Sequence, residues 1–446
     1  MPRLPAGTNA GRLSRVLSRV LSRVLSRTCA LTLACCLAGA GLAACGGNTT
    51  TLDGATPASG ASDASPASGA TPANPASGAS PAAPASDSGG GAVDPLKTTV
   101  DGIVQPFATA QELPSIIVAV SRGGTRHYFT YGQDVSAPIS ADTLVEIGSI
   151  TKTFTTALFA EALSDGTMTR SATTQAYFPE AALSRCAAEV NLIEMADFRS
   201  GLASDPISVS FSDPTPSDID HWPVSKFVAW FAGYKSKVPP NESCGLPATY
   251  HYSNASVGLL GLAIARGYGQ EWDALVAERI TTALGMSDTV PFVSDAQRPR
   301  FATGHSDKGA AVPHWPRFAW FAAGTLKSTP ADMLRYGEAA LGHLSVDGRP
   351  VPAALRDAFA VAQTPLYRPI GDSFHQAMAW VTQPVDTSAP DGALLAYKDG
   401  GTNGFNSVII TDSSHDTAVF VVTNQVNTGI QRIGLEVARA LAASSN

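Results

Sequence analysis

Charge is scarce in this chain. Of 446 residues only 15% are Asp, Glu, Lys or Arg, against roughly a quarter in ordinary soluble domains. Basic residues number 30 and acidic ones 37, and six of the basic ones are arginines between residues 1 and 45, a stretch with no acid. The remainder carries 24 basic groups (30 − 6) against 37 acidic, a net charge of −13. Phosphate binding needs clustered Lys and Arg, so this balance excludes a nucleic-acid-coating protein; the surplus acid serves solubility. The apolar run from Cys29 to Ala44 has 16 residues, short of the ~20 that a membrane-spanning helix needs. The eight histidines are scattered and no Cys/His group has ligand spacing, which predicts no metal site. The Gly-x-Ser-x-Gly elbow of the α/β-hydrolases is missing altogether.

What the first 93 residues do contain reads as an address and a tether. Arg12, Arg15, Arg19, Arg23 and Arg27 precede the apolar run, within a repeated Leu-Ser-Arg-Val tetrad. Basic residues followed by a short apolar segment form an export signal. The run ends in Leu42-Ala43-Ala44-Cys45-Gly46, which resembles the bacterial lipobox. On that reading residues 1–45 are a signal peptide, Cys45 carries lipid, and the protein sits at the bacterial envelope facing the periplasm; a plain secretory signal is the alternative. Residues 46–93 are dominated by Ala, Pro, Ser and Gly, with Pro57, Pro66, Pro75 and Pro84 at intervals of nine. With almost no apolar bulk this segment is expected to stay disordered and to reach roughly 37 Å as a flexible chain.

From residue 94 to 446 the texture is globular. Cys29, Cys35 and Cys36 fall in the segment expected to be removed, so Cys186 and Cys244 alone remain unassigned. In an oxidising compartment an even pair suggests one disulfide; two separate buried thiols are the other reading. The run Ile116-Ile117-Val118-Ala119-Val120 ends at Gly123-Gly124 and is answered by His127 to Gly132, a strand pair. Ser149 to Ala162 has helical spacing, with Phe154, Leu158 and Ala162 on one face, and Ser256 to Ala265 is a second helix. Phe405–Thr411 and Ala418–Val422 read as paired strands, and Ile430 to Ala443 as a closing amphipathic helix. Strands at both ends with helices between them predict an α+β domain whose sheet joins the two ends of the chain.

The chemistry-bearing residues begin with Ser149-Ile150-Thr151-Lys152. Residues three apart share a helix face, so Lys152 can reach the Ser149 hydroxyl, and a buried lysine with a lowered pKa can take its proton. Lys152 is the only lysine of eight with a serine three residues before it. Gly148 stands at the predicted helix start, where unpaired N–H groups can stabilise an oxyanion. Tyr252-Ser253-Asn254 is the only Tyr-x-Asn in the chain. Lys398-Asp399-Gly400 precedes Gly401-Thr402-Asn403-Gly404 and a β run.

Taken in order, Ser-x-x-Lys, Tyr-x-Asn and Lys-x-Gly resemble the penicillin-recognising serine hydrolases, most closely the class C β-lactamases. The likeness extends to Val145-Glu146-Ile147-Gly148, to Ala255-Ser256-Val257-Gly258-Leu259, and to Ala323-Gly324-Thr325-Leu326-Lys327-Ser328-Thr329-Pro330. Class A enzymes fit less well, because they carry Ser-Asp-Asn where Tyr252-Ser253-Asn254 stands. The resemblance implies a β-lactamase/transpeptidase-like fold, an antiparallel sheet flanked by helices with an all-helical subregion. It also implies a monomer without cofactor, acting on a small molecule or short peptide. Ser149 then attacks the carbonyl and forms an acyl-enzyme. Lys152 and Tyr252 share the general-base work, for which Tyr252 needs a phenol acidified by Lys152 and Lys398. Asn254 binds the substrate's side-chain amide, Asp399, Gly400 and Gly401 line the substrate, and the N–H groups of Ser149 and Gly401 form the oxyanion hole.

Asp399 departs from the family, which has Thr or Ser in the middle of this triplet. A carboxylate there either repels an anionic substrate or turns to solvent and leaves Lys398 to act alone. Asn424 and Asn427 lie where the family contacts a substrate carboxylate, and Arg432 is either a further anion contact or a solvated surface residue. Hydrolysis of β-lactams is the leading expectation. A D-alanyl peptide, a D-amino-acid amide or a small ester is the rival substrate, and a penicillin-binding sensor that acylates and stalls is the rival class.

Overall fold

Asp94 and Pro95 open the first described helix in the way helix starts are built. The Asp94 carboxylate accepts the Leu96 N–H at 2.9 Å, and Pro95 occupies the first turn of α1 (Pro95–Ala110), where its missing N–H costs nothing. The computed structural model describes residues 94–134, 138–207, 222–369, 373–389, 392–427 and 429–444. The expected signal peptide, Cys45 and the 46–93 linker lie outside the described residues.

The β-branched run Ile116–Arg122 forms β1, turns at Gly123 and Gly124, both at positive φ, and returns as β2 (Thr125–Tyr131). The remaining strands of this sheet come late: β3 (His375–Gln376), β4 (Val381–Pro384), β5 (Leu394–Gly401), β6 (Asn406–Asp412) and β7 (Thr417–Thr423). Their order is β2-β1-β7-β6-β5-β4-β3, with every neighbouring pair antiparallel. Ile116 pairs with Thr423 and Arg122 with Thr417, so the first and last strands close the sheet as the sequence predicts.

The period-2 alternation of the strands sends side chains into two cores. Val118, Val120, Tyr397, Val408, Ile410, Val419 and Val421 face α1 and the C-terminal helix α7 (Ile430–Ala443). Ile117, Ala119, Ala396, Ile409, Phe420 and Val422 face the larger, helix-rich side. That side holds α2 (Thr151–Ser164), α3 (Val224–Ala232), α4 (Asn254–Tyr268), α5 (Pro330–Ala340) and α6 (Ala353–Gln363). Between β2 and β3 the described chain carries helices joined by loops and turns, with short ladders such as Val145–Glu146 with Lys327–Ser328. Cys186 and Cys244 are joined by a disulfide 58 residues apart in sequence.

Two expectations change in detail. The helix at Ser149 begins as a 3-10 turn, Gly148–Ile150, before α2 proper. It is also not amphipathic: from Leu144 to Ala160 every residue is buried except Ser149. A helix enclosed on all sides has no apolar stripe, and its four threonines and Lys152 are buried because each finds a partner inside.

Candidate active site

The one half-buried member of that stretch is the serine, and three elements converge on it. From α2, the Lys152 side chain is 0% exposed. Its Nζ lies 2.8 Å from Ser149 Oγ, 2.6 Å from Asn254 Oδ1 and 2.6 Å from the Ala323 carbonyl. The segment ahead of α4 supplies Tyr252, whose hydroxyl donates to Ser149 Oγ at 2.7 Å. The third contribution is Lys398 from β5, which alternation places on the helix-rich face with Ala396 and Ile409. Its Nζ is 5.2 Å from the centre of the Tyr252 ring, and Lys152 Nζ is 4.9 Å from it.

Local chemistry explains why each arrives there. Ser253 caps α4 by accepting the Ser256 N–H at 3.0 Å, which turns the chain between Tyr252 and Asn254. The Ser204 carbonyl accepts the first N–H groups of α4 from Asn254 and Ala255, at 2.7 and 3.2 Å. The end of β5 passes against the 3-10 turn through glycine. A Cβ on Gly400 would stand 2.1 Å from the Ile147 carbonyl oxygen, and one on Gly148, at φ +50°, 2.7 Å from the Gly401 oxygen.

The same approach brings the Gly401 N–H beside the serine turn, where a Cβ on Gly148 would stand 2.8 Å from the Gly401 nitrogen. The 3-10 turn bonds Ile150 N–H to the Ile147 carbonyl, so the Ser149 N–H lies outside the turn's own bonds. In the β5–β6 hairpin Thr402 N–H bonds to the Phe405 carbonyl at 2.9 Å. Alternation then makes Gly401–Asn406 a non-hydrogen-bonded pair, and the Gly401 N–H points away from β6. On that edge β4 pairs only with residues 394–397, leaving the 398–401 edge open toward Ser149.

The electrostatics divide the labour. Burial, helped by the Lys398 charge, holds Lys152 well below the ordinary lysine pKa. A neutral Lys152 keeps two N–H bonds for Asn254 and Ala323 and turns its lone pair on the Ser149 hydroxyl. The phenol goes the other way. Burial, and next the Asp399 carboxylate, push Tyr252 well above the ordinary tyrosine pKa. The expectation of an acidified Tyr252 is therefore corrected: in the resting site it is a phenol that donates to Ser149.

Asp399 is half exposed, yet it is bonded to its neighbour and does not leave Lys398 to act alone. Lys398 Nζ bonds its carboxylate at 2.8 Å and its backbone oxygen at 2.7 Å. The Lys398 side chain is 3% exposed and that of Asp399 50%. Burial opposes ionisation of Asp399, but Lys398 prevails and holds its carboxyl below the usual range. Asn254 is also engaged at both ends: Oδ1 faces Lys152, and its amide donates to Asp205 at 3.0 and 3.2 Å. Asp205 is a residue the motifs did not single out, because Ser204-Asp205-Pro206 reads as an ordinary turn. Outside the cluster, Asn427 accepts the Gly429 N–H ahead of α7. Asn424 donates to the Thr303 carbonyl. Arg432 pairs with Glu436 on the surface of α7.

A hydroxyl between a neutral amine and a phenol, beside two N–H groups left out of the turn and ladder bonds, suits nucleophilic attack on a carbonyl. Comparison with known proteins agrees. The Beta-lactamase family model matches residues 100–444. A beta-lactamase of Pseudomonas fluorescens is 26% identical over 368 residues, covering 76% of this chain and 96% of its own. The class C beta-lactamase of Rhodobacter sphaeroides superimposes with a TM-score of 0.65 at 24% identity, over 78% of this chain and 99% of that one. A beta-lactamase/D-alanine carboxypeptidase of Pseudomonas syringae does so with a TM-score of 0.65 at 21% identity, over 79% and 99%. With the family match running through nearly all of the globular region, the chain belongs to the beta-lactamase family and is a serine hydrolase of that type.

Proposed function

We propose that the protein opens the β-lactam amide through an acyl-enzyme on Ser149 and then releases it with water. The observation that carries this reading is the Ser149 hydroxyl held at once by Lys152 at 2.8 Å and Tyr252 at 2.7 Å. In acylation the Ser149 Oγ–carbonyl bond forms while the proton on Oγ passes to Lys152 Nζ. The C–N bond then breaks, and the Tyr252 hydroxyl gives its proton to the leaving nitrogen and recovers one from Lys152. The N–H groups of Ser149 and Gly401 take the oxyanion. Water attacks the ester in the second half, with the same groups handling its proton. The N-terminal sequence supports an exported enzyme anchored by lipid at Cys45.

The Asp399–Lys398 contact favours a second reading. With its ammonium already bonded to a carboxylate, Lys398 is a weaker partner for an anionic substrate, which favours a small ester or a D-amino-acid amide. A panel of a chromogenic cephalosporin, a D-Ala-D-Ala peptide and a short-chain nitrophenyl ester, with mass spectrometry of the protein, separates the cases. Turnover of the cephalosporin with a transient adduct on Ser149, both lost in Ser149→Ala, supports the first reading. Ester or peptide turnover alone supports the second. A lasting adduct without turnover identifies a sensor, and cleavage by Ser149→Ala at the wild-type rate overturns all three.

A further inference from the structure

We infer that Asp205 is a positioning residue of the catalytic base, fixing the Asn254 amide so that its oxygen faces Lys152; this rests on the acyl-enzyme reading above. An asparagine amide can turn over with little change in shape, and the two orientations are chemically opposite. Turned one way, Asn254 offers an acceptor to Lys152. Turned the other, it offers N–H groups to an amine that must keep its lone pair for Ser149. Asp205 selects the first orientation, because a carboxylate only accepts and takes the amide N–H groups on both oxygens, at 3.0 and 3.2 Å.

Asp205 is itself held firmly. The Trp320 indole N–H bonds it. The residues before it are stitched to the Tyr252–Asn254 segment, Ser253 Oγ donating to the Ala203 carbonyl at 2.7 Å and Ser204 Oγ to the Tyr252 carbonyl at 3.1 Å. The relay is thus Trp320 and the 203–205 segment, Asp205, Asn254, Lys152, Ser149, with each link a hydrogen bond.

Its charge acts as well. The groups facing Lys152 are Lys398 and Asp399 from β5, the neutral Tyr252 phenol, the Ala323 carbonyl and, through Asn254, Asp205. Burial and Lys398 favour the neutral amine, whereas Asp205 and Asp399 favour the ammonium. Asp205 therefore keeps Lys152 from becoming too weak a base to accept the Ser149 proton. Removing its charge while keeping its shape lowers the lysine pKa further, so the deprotonated form appears at lower pH.

The test uses an alkyl fluorophosphonate, which needs no knowledge of the natural substrate. Ser149 Oγ attacks phosphorus, the P–F bond breaks, fluoride leaves and the Oγ proton goes to Lys152. Labelling rates against pH, with a thermal melt for each protein, are compared for wild type, Asp205→Asn and Asp205→Ala. The expected result is an acid limb shifted down by about half to one pH unit in Asp205→Asn. In Asp205→Ala, which loses the same charge, the plateau of labelling above the acid limb falls roughly tenfold or more, because the amide is released. Superimposed profiles, or an upward shift, overturn the inference. A loss in Asp205→Ala with an unmoved Asp205→Asn profile is a packing effect and overturns it too. Should Asp205→Ala not fold, the Asp205→Asn profile decides. Failure of the wild type to label, or labelling of Ser149→Ala, defeats the acyl-enzyme reading itself and is seen before any Asp205 variant is compared.

Discussion

A lysine without exposed surface, flanked by a second lysine, is costly to keep charged, and that cost is what fits Lys152 for the proposed role of base. The sign follows directly. The amine is the active form and its pKa is depressed, so acylation rises with pH through the lowered value and is already under way well below the pH at which an ordinary lysine deprotonates. Replacing Lys152 by Arg puts a permanent charge at that position and removes the base, since a guanidinium does not deprotonate in proteins. The expected loss in single-turnover acylation is about 10²–10⁴-fold, with the melting temperature as control; a loss under tenfold means another group takes the proton. Asp399→Thr makes the opposite kind of change. It frees the Lys398 ammonium, and kcat/KM for an anionic β-lactam is expected to rise by roughly tenfold while that for a neutral ester stays within about twofold. Parallel changes on both substrates contradict a charge effect. At this scale the sequence was legible wherever a motif carried the residue: Ser149, Lys152, Tyr252, Asn254 and Lys398 meet in one cluster. It was not legible where the residue sits in a plain turn. Asp205 gains its importance from Asn254, 49 positions away, and no local pattern records that contact.

Among the elements, β5 was the hardest to see. Leu394 to Gly401 ends in Lys-Asp-Gly-Gly, which locally reads as a turn, yet pairing with Asn406–Thr411 holds it extended to its last residue. Strands β1, β6 and β7 were visible because β-branched runs bounded by turn residues need no partner to be recognised. The helix α2 was visible in place but not in environment, since periodicity cannot show that Thr151, Thr153, Thr155 and Thr156 are buried as completely as Phe154. The two glycines between β5 and the serine turn carry an element-scale prediction. Gly400→Ala puts a methyl 2.1 Å from the Ile147 carbonyl oxygen, so the strand end and the turn must separate. Because both proposed oxyanion donors, the N–H groups of Ser149 and Gly401, lie across that contact, acylation is expected to fall by about 10²-fold or more, measured as the rate of adduct formation. A variant that acylates at the wild-type rate shows that the strand end does not set the oxyanion geometry.

The whole domain is closed by parts from opposite ends of the chain. β1 pairs with β7, and α1 and α7 cover one face together, while the catalytic residues come from three stretches brought onto the other side. Such a topology is built from long-range pairings that form late and at high entropic cost. One covalent tie works on that cost: the Cys186–Cys244 bond closes a loop 58 residues long that contains α3 and ends shortly before Tyr252. The chain-entropy relation gives about 4 kcal/mol for a loop of this length, acting on the unfolded ensemble rather than on native contacts. Cys186→Ala paired with Cys244→Ala is therefore expected to lower the unfolding free energy in urea by roughly 2–5 kcal/mol. Acylation of Ser149 at low temperature should stay within about twofold, because neither cysteine touches the cluster around it. If instead the double variant keeps its urea midpoint but loses acylation, the bond shapes the path into Tyr252 and does not act through the unfolded chain.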